Sequence, residues 1–147
     1  MDPQKIFSVD EANELVPLLS LEFERIHRMR RHVVEHVEVL QNHGVDLDPS
    51  RPLDRQDVPD ACWKEAVRLV QIVKEIGNAV ERINEAGCLV KDLDVGLVDF
   101  YSVVDGEPVF LCWQYGETQV GHYHGLDEGF GSRRPLPGER STGIVYN

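Results

Sequence analysis

The chain has 147 residues, of which 15 are basic and 26 acidic, and its formal net charge is −11. A surface of this charge repels phosphate backbones, so we expect no nucleic-acid partner. The length suits one domain, which we predict over residues 1–136. Residues 137–147 are rich in Pro, Gly, Ser and Thr and are predicted to form a flexible tail.

The cysteines and the N-terminal residues bear on the cellular compartment. The chain has three cysteines, Cys62, Cys88 and Cys112, and an odd number argues against the disulfide framework of a secreted fold. The N-terminus lacks the apolar core of a signal peptide, and no apolar run approaches the roughly 20 residues of a spanning helix. We therefore expect a cytoplasmic protein with no membrane partner.

A long helix is predicted over residues 8–43. Ser8 and Glu11 form a capping-box pattern at its start, and Gly44 suits its C-terminal cap. Pro17 lies inside it, which predicts a kink or a short helix feeding a longer one. The residues that recur on its apolar side are Ala12, Leu15, Leu19, Phe23, Ile26, Val33, Val37 and Leu40.

A second helix is predicted over residues 59–86, with Pro59 in its first turn and Gly87 at its end. Its apolar residues follow the alternating four-three steps of a coiled coil: Cys62, Ala66, Leu69, Val73, Ile76, Val80 and Ile83. The two helices would form an antiparallel hairpin. Further apolar residues widen the stripe, so the C-terminal segment, a second copy of the chain, or both must cover it. We expect a homo-oligomer, most simply a homodimer.

The period changes from helical to alternating in residues 88–136, which predicts a β-rich segment. Two alternating runs flank Asp105-Gly106-Glu107, the pattern of a β-hairpin, and a third strand is predicted from Val120 to His124. The predicted fold class is therefore α+β. It combines a long, coiled-coil-like antiparallel two-helix hairpin with a small antiparallel β-sheet.

The H-x-H pair in the third strand suggests a metal site. On a strand, His122 and His124 point to one face, a spacing that suits two imidazoles sharing an ion such as zinc. Asp127 or Glu128 would supply a carboxylate. Cys112 joins the histidines if the preceding turn has an odd number of residues and points away if the number is even. The alternative is a half-exposed imidazole pair hydrogen-bonded to nearby carboxylates.

Two arginines suggest a different site. Arg133 and Arg134 follow Gly129-Phe130-Gly131, where the backbone can approach another surface, and they could bind an anion or tie the segment to acidic neighbours. Asp99 lies within an apolar strand. It is expected to face water or to pair with a cation such as Arg133 or Arg134.

The chain resembles the uncharacterised bacterial family known as domain of unknown function 2203. The resemblance rests on FSVDEANELVP near the start, EAGCLVKDLDVGLVDF, LCWQYGE, and HYHGLDEGFGSRRPL, and it extends to about Leu136. The family implies no activity and typically has one fixed histidine, at the position of His124. The resemblance draws attention to the matching residues Asp99, Cys112, Trp113, Glu117, His124 and Arg134.

Three functions follow as expectations. The first is a non-enzymatic oligomeric assembly module, because the helices carry apolar seams and no nucleophile–base set or phosphate loop is recognisable. The second is a small metal-binding protein or metal-dependent hydrolase using His122, His124 and a nearby carboxylate. The third is an anion-binding domain centred on Arg133 and Arg134. Enzyme activity is left open, with the balance against it.

Overall fold

A computed structural model describes residues 5–137 of the chain. The contacts divide the chain into a sheet unit, residues 1–23 and 82–147, and a hairpin unit, residues 24–81. A single domain over residues 1–136 therefore stays a prediction. Apart from Pro137, the predicted tail over residues 137–147 lies outside the described residues.

The secondary structure is α+β, as predicted. Its two α-helices are α1 (Val9–Asn42) and α2 (Trp63–Glu85), and short 3₁₀ helices occupy Asp60–Cys62 and Phe130–Ser132. The five strands are β1 (Leu89–Asp92), β2 (Leu97–Val104), β3 (Glu107–Gln114), β4 (His122–Gly125) and β5 (Arg134–Pro135). They form one antiparallel sheet in sequence order, in which β1 and β5 extend the three predicted strands. Within residues 5–137, no helix is long and apolar enough to cross a membrane.

The predicted caps of α1 are confirmed. The backbone N–H of Ser8 donates to Glu11 Oε1 over 2.9 Å, and the N–H of Glu11 donates to Ser8 Oγ over 3.0 Å. At the other end, Gly44 has a φ of +76°. Pro17 lies inside α1, which is one helix from Val9 to Asn42 and not a short helix feeding a longer one.

The hairpin unit has its own apolar core between the end of α1 and the start of α2. Its buried residues are Leu40, Val45, Val58, Cys62, Ala66 and Leu69. Val33 and Val37 of α1 and Val73 of α2 pack against them, which supports the predicted antiparallel hairpin. Farther along α2, Ile72 and Ala79 are fully buried while Ile76 is half-buried. The buried stripe thus departs from the strict four-three seam.

The core of the sheet unit lies on the face of the sheet that carries Phe100 and Trp113. Phe7 meets Phe100 edge to face at 5.1 Å between ring centroids, and Phe23 lies 6.0 Å from Trp113. All four side chains are buried. Burial of these aromatic side chains on one face of the sheet stabilises the unit. The opposite face does not contribute these residues to the core.

Tight turns fix the sheet. In the β2–β3 hairpin, Asp105 and Gly106 have φ values of 52° and 79°, the left-handed values of a type I′ turn. This confirms the predicted hairpin. Gly96 has a φ of +74°, and a Cβ there would lie 2.6 Å from Tyr115 Cβ, so only glycine fits before β2. The third predicted strand is confirmed as β4, which begins at His122.

Candidate metal centre

The register of the sheet brings three chemically active side chains together. Asp99 of β2 lies opposite Cys112 of β3, and Cys112 in turn lies opposite His122 of β4. His124 lies opposite Phe110 of β3, two residues from Cys112. Because cross-strand partners and alternate residues share a face, all five side chains lie on the face away from Trp113. Cys112 therefore shares a face with His122 and His124, which is the outcome predicted for an odd-numbered turn between β3 and β4.

Asp99, Cys112 and His124 form a buried cluster. His124 Nε2 lies 3.1 Å from Asp99 Oδ2 and 3.2 Å from Oδ1. The ligand atoms of all three residues, including Cys112 Sγ, lie within 4.8 Å of one another. The exposed fractions are 4% for Asp99, 2% for His124 and 1% for Cys112. A carboxylate, a thiol and an imidazole so deeply buried must neutralise one another or hold a cation.

The second nitrogen of His124 fixes the ring's tautomer. His124 Nδ1 lies 2.8 Å from the carbonyl oxygen of Gly125. A carbonyl oxygen can only accept, so Nδ1 must carry a hydrogen and donate it. The hydrogen bond between Nε2 and Asp99 then requires one further proton, which lies between the two groups. When that proton is displaced, Nε2 presents its lone pair to the cluster.

Burial raises the pKa of the other two groups. For Asp99, the neighbouring His124 and Lys91 partly offset this effect. Burial, followed by the Asp99 charge, raises the pKa of the Cys112 thiol to about 11, although Arg133 works in the opposite direction. A catalytic cysteine needs a lowered pKa. Cys112 is therefore an inert thiol near neutral pH unless a metal ion replaces its proton.

The cluster has the composition of a transition-metal site. Thiolate, imidazole and carboxylate are the ligands of zinc, at about 2.0–2.3 Å from the ion. The Nδ1 hydrogen bond of His124 to a backbone carbonyl is the outer-shell contact that orients a metal-binding imidazole. A divalent ion with one thiolate and one carboxylate also leaves no net charge, which suits a buried site. The three residues therefore fit such an ion.

A cavity of about 160 Å³ adjoins the cluster. Asp99, Cys112 and His124 line one part of it. The rest is lined by apolar Leu97, Phe110, Leu126 and Phe130, by Gly129, and by Lys91 and Glu128. Three protein ligands beside an open space are the arrangement of a metal ion with a free coordination position.

Glu117 is the centre of a second polar group. Its carboxylate accepts hydrogen bonds from Arg133 at 2.8 and 3.1 Å and from the backbone N–H of Gln114 at 2.8 Å. Burial alone would raise the pKa of Glu117, but these hydrogen bonds outweigh it and leave the pKa lowered. His122 Nδ1 lies 3.9 Å from Glu117 Oε2 and has no hydrogen-bond partner among the described residues. Burial and the charge of Arg133 lower the pKa of His122.

The remaining predicted site residues lie outside the cluster. Trp113 is on the core face, where its Nε1–H donates to the Glu117 carbonyl oxygen over 3.0 Å. Glu128 accepts from the Gly125 backbone N–H at 2.7 Å and from Arg134 at 3.3 Å. Asp127 is exposed. The structure thus brings His124 together with Asp99 and Cys112. His122 lies opposite Cys112 and Glu128 lines the adjoining cavity, but neither of them, nor Asp127, is a member of the cluster.

Neither the cavity nor Lys91 was predicted from the sequence, and Asp99 was expected to face water or a cation such as Arg133 or Arg134. The signal for Asp99 was present in the β2–β3 hairpin. A two-residue turn at Asp105-Gly106 places Asp99 opposite Cys112 by counting alone. No comparable signal marked Lys91, because its strand, β1, was not predicted.

The family model described as "Uncharacterized conserved protein (DUF2203)" matches residues 5–136. No curated protein and no solved structure matches the chain. The family match begins before α1, ends at Leu136 and includes Asp99, Cys112 and His124. Because that match covers most of the sequence, the resemblance is confirmed, and the protein belongs to the uncharacterised conserved family DUF2203.

Proposed function

We propose that this protein binds a divalent transition-metal ion, typically zinc, through Asp99, Cys112 and His124. The observation that carries the proposal is the buried cluster of three ligand atoms within 4.8 Å of one another. The Nδ1 hydrogen bond of His124 to Gly125 supports it, because that bond leaves Nε2 for the ion. The cluster differs from the site predicted from the H-x-H pair, since it uses one histidine, a cysteine and an aspartate from another strand.

Charge balance favours a divalent ion. Without metal, the Cys112 thiol is neutral, and the Asp99–His124 pair holds one shared proton and has no net charge. Binding an ion of charge +2 displaces both protons and leaves the site neutral again. A monovalent or trivalent ion would leave a net charge in a buried site, which costs several kcal/mol. The free coordination position would face the cavity, where the ion could polarise a bound molecule.

Cobalt titration of protein purified without a histidine tag tests the proposal. We expect one Co²⁺ per chain and a thiolate-to-cobalt charge-transfer band in the near ultraviolet. Cys112→Ser should remove the band, whereas Cys62→Ser is the matched control, because Cys62 is a buried cysteine in the core of the hairpin unit. A band that persists in Cys112→Ser, or no bound metal in the wild type, would refute the proposal.

The apparent affinity for the metal ion should also depend on pH. Two protons leave for each ion bound, so the apparent affinity should fall by about a hundredfold per unit decrease in pH while the apoprotein holds both protons. Calorimetry in buffers of different ionisation enthalpy counts the protons released. A count near zero would contradict the assignment of Cys112 as a ligand, because its thiol is protonated near neutral pH.

We also propose, as a second function, that the helices mediate self-association into a homodimer. The supporting observation lies in the hairpin unit, where apolar side chains of α2 stay only partly covered. These are Val67, Val70, Val73, Ile76 and Val80. On α1, Val34 and Val39 are exposed. A second copy of the chain would cover such residues and gain about 25 cal/mol for each Å² of apolar surface removed from water.

Light scattering tests the homodimer. We expect a mass near twice the 16.7 kDa of one chain. Replacing both Val73 and Ile76 with Asp should cause dissociation or unfolding, because it places unpaired charge on the side of α2 that the second copy would bury. The matched control is Lys74 and Glu75 replaced with Asp, since both positions are exposed. A wild-type mass of 16.7 kDa at high protein concentration would show that the chain does not self-associate.

We do not propose the anion-binding function. Arg133 makes two hydrogen bonds to Glu117, and Arg134 lies 3.3 Å from Glu128, so each guanidinium already faces a carboxylate. These contacts correspond to the alternative in which the arginines tie the segment to acidic neighbours.

A further inference from the structure

The cavity beside the metal ligands combines an apolar wall with two charged residues, Lys91 and Glu128. Its volume is about 160 Å³. An apolar cavity of about 150 Å³ is known to hold one benzene molecule, so the space admits an organic group of that size. The side chains of Leu97, Phe110, Leu126 and Phe130 supply the apolar contacts. A ligand here would therefore be small and largely apolar.

The charges that line the cavity decide the polar end of the ligand. Glu128 is occupied by hydrogen bonds from the Gly125 backbone and from Arg134. The Lys91 ammonium lies 5.4 Å from the centre of the Phe110 ring and acts electrostatically on Asp99. A bound metal ion would take up the Asp99 charge. Lys91 would then face the cavity without an anionic partner.

We infer that the cavity binds a small organic monocarboxylate, with its carboxylate toward the metal ion and Lys91 and its apolar group against Leu97, Leu126 and Phe130. The inference rests on the proposed metal site. A carboxylate oxygen of this molecule would occupy the free coordination position of the ion. An ammonium-bearing ligand has no lone pair for the ion and would be repelled by Lys91, and a neutral ligand would lose the charge-assisted contact.

The test uses the full-length protein loaded with Co²⁺ and three ligands of similar size: benzoate, benzamide and benzylamine. Benzoate should change the visible cobalt absorption bands in a saturable way, because a carboxylate oxygen enters the coordination shell. Benzamide should bind at least about tenfold more weakly, and benzylamine should not bind. Equal binding of benzamide and benzoate would overturn the inference.

Variants separate this inference from the proposed function. Lys91→Met keeps the length of the side chain and removes its charge, and it should weaken benzoate by about tenfold while cobalt still binds. Lys91→Arg should restore part of the affinity. The matched control is Lys64→Met, at an exposed lysine in the hairpin unit. Absence of cobalt binding would defeat the metal site itself, whereas cobalt bands that benzoate does not alter would defeat only the carboxylate inference.

Discussion

Replacing His124 with alanine is expected to abolish zinc binding, whereas replacing His122 with alanine should leave it nearly unchanged. His124 Nε2 faces Asp99 and is oriented by the Nδ1 hydrogen bond to Gly125. Loss of an outer-shell partner alone costs 10–100-fold in metal affinity, so loss of a direct ligand should cost at least about a hundredfold. Competition with a chromophoric chelator measures the affinities.

His122 is a stringent control for this experiment. It is on the same strand and the same face, two residues away, and it lies opposite Cys112. Its nearest carboxylate is Glu117, at 3.9 Å, and not Asp99. If His122→Ala lost zinc as fully as His124→Ala, the ion would be held by the histidine pair, and the cluster with Asp99 would be the wrong assignment. Asp99→Asn should also weaken zinc binding, since it removes the carboxylate charge at nearly constant size.

Replacing Trp113 with alanine is expected to destabilise the protein by about 3–5 kcal/mol, the cost of truncating a fully buried aromatic residue. Trp113 is the largest fully buried side chain, and it packs against Phe23. Its Nε1–H also satisfies the carbonyl oxygen of Glu117, which would lose its donor. Since domains are stable by only about 5–15 kcal/mol, the variant should lose much of its margin. Urea unfolding followed by circular dichroism measures the loss.

Two further variants make this test specific. Trp113→Phe keeps most of the apolar volume and removes the N–H donor, so it should cost less than the alanine variant. Trp63 is half-buried in the hairpin unit, where Arg55 lies 4.1 Å from its ring centre, and Trp63→Ala should also cost less. Equal losses for Trp63→Ala and Trp113→Ala would show that Trp113 is not the centre of the sheet unit's core. Trp113 would then have to be reconsidered as a site residue.

The features that the sequence predicts correctly depend on neighbours along the chain. The capping box of Ser8 and Glu11 involves residues three apart, and it appears as two hydrogen bonds. The Asp105-Gly106 turn takes the positive φ values that this pair permits. Because such signals are local, no knowledge of the rest of the fold is needed to interpret them.

The helix burial pattern shows where local periodicity stops being sufficient. A strict four-three seam places Val73 and Ile76 on the buried side of α2, yet both are only half-buried, while Ile72 and Ala79, outside the seam, are fully buried. Periodicity identifies an apolar side of a helix, but the neighbours that pack on it decide which residues within that side lose all contact with water. The same limit applies to β5, whose two residues are a strand only through pairing with β4.

The sequence by itself determined the α+β class, the long helices, the β2–β3 hairpin and the common face of His122 and His124, because each follows from periods or turns within a short stretch. Only the tertiary structure decided that His124 lies against Asp99 and Cys112. That contact joins three strands and depends on the β3–β4 register, which the sequence left open as a question of turn parity. A shift of one residue in that register would turn Cys112 away from the histidines, since side chains alternate between the faces of a sheet.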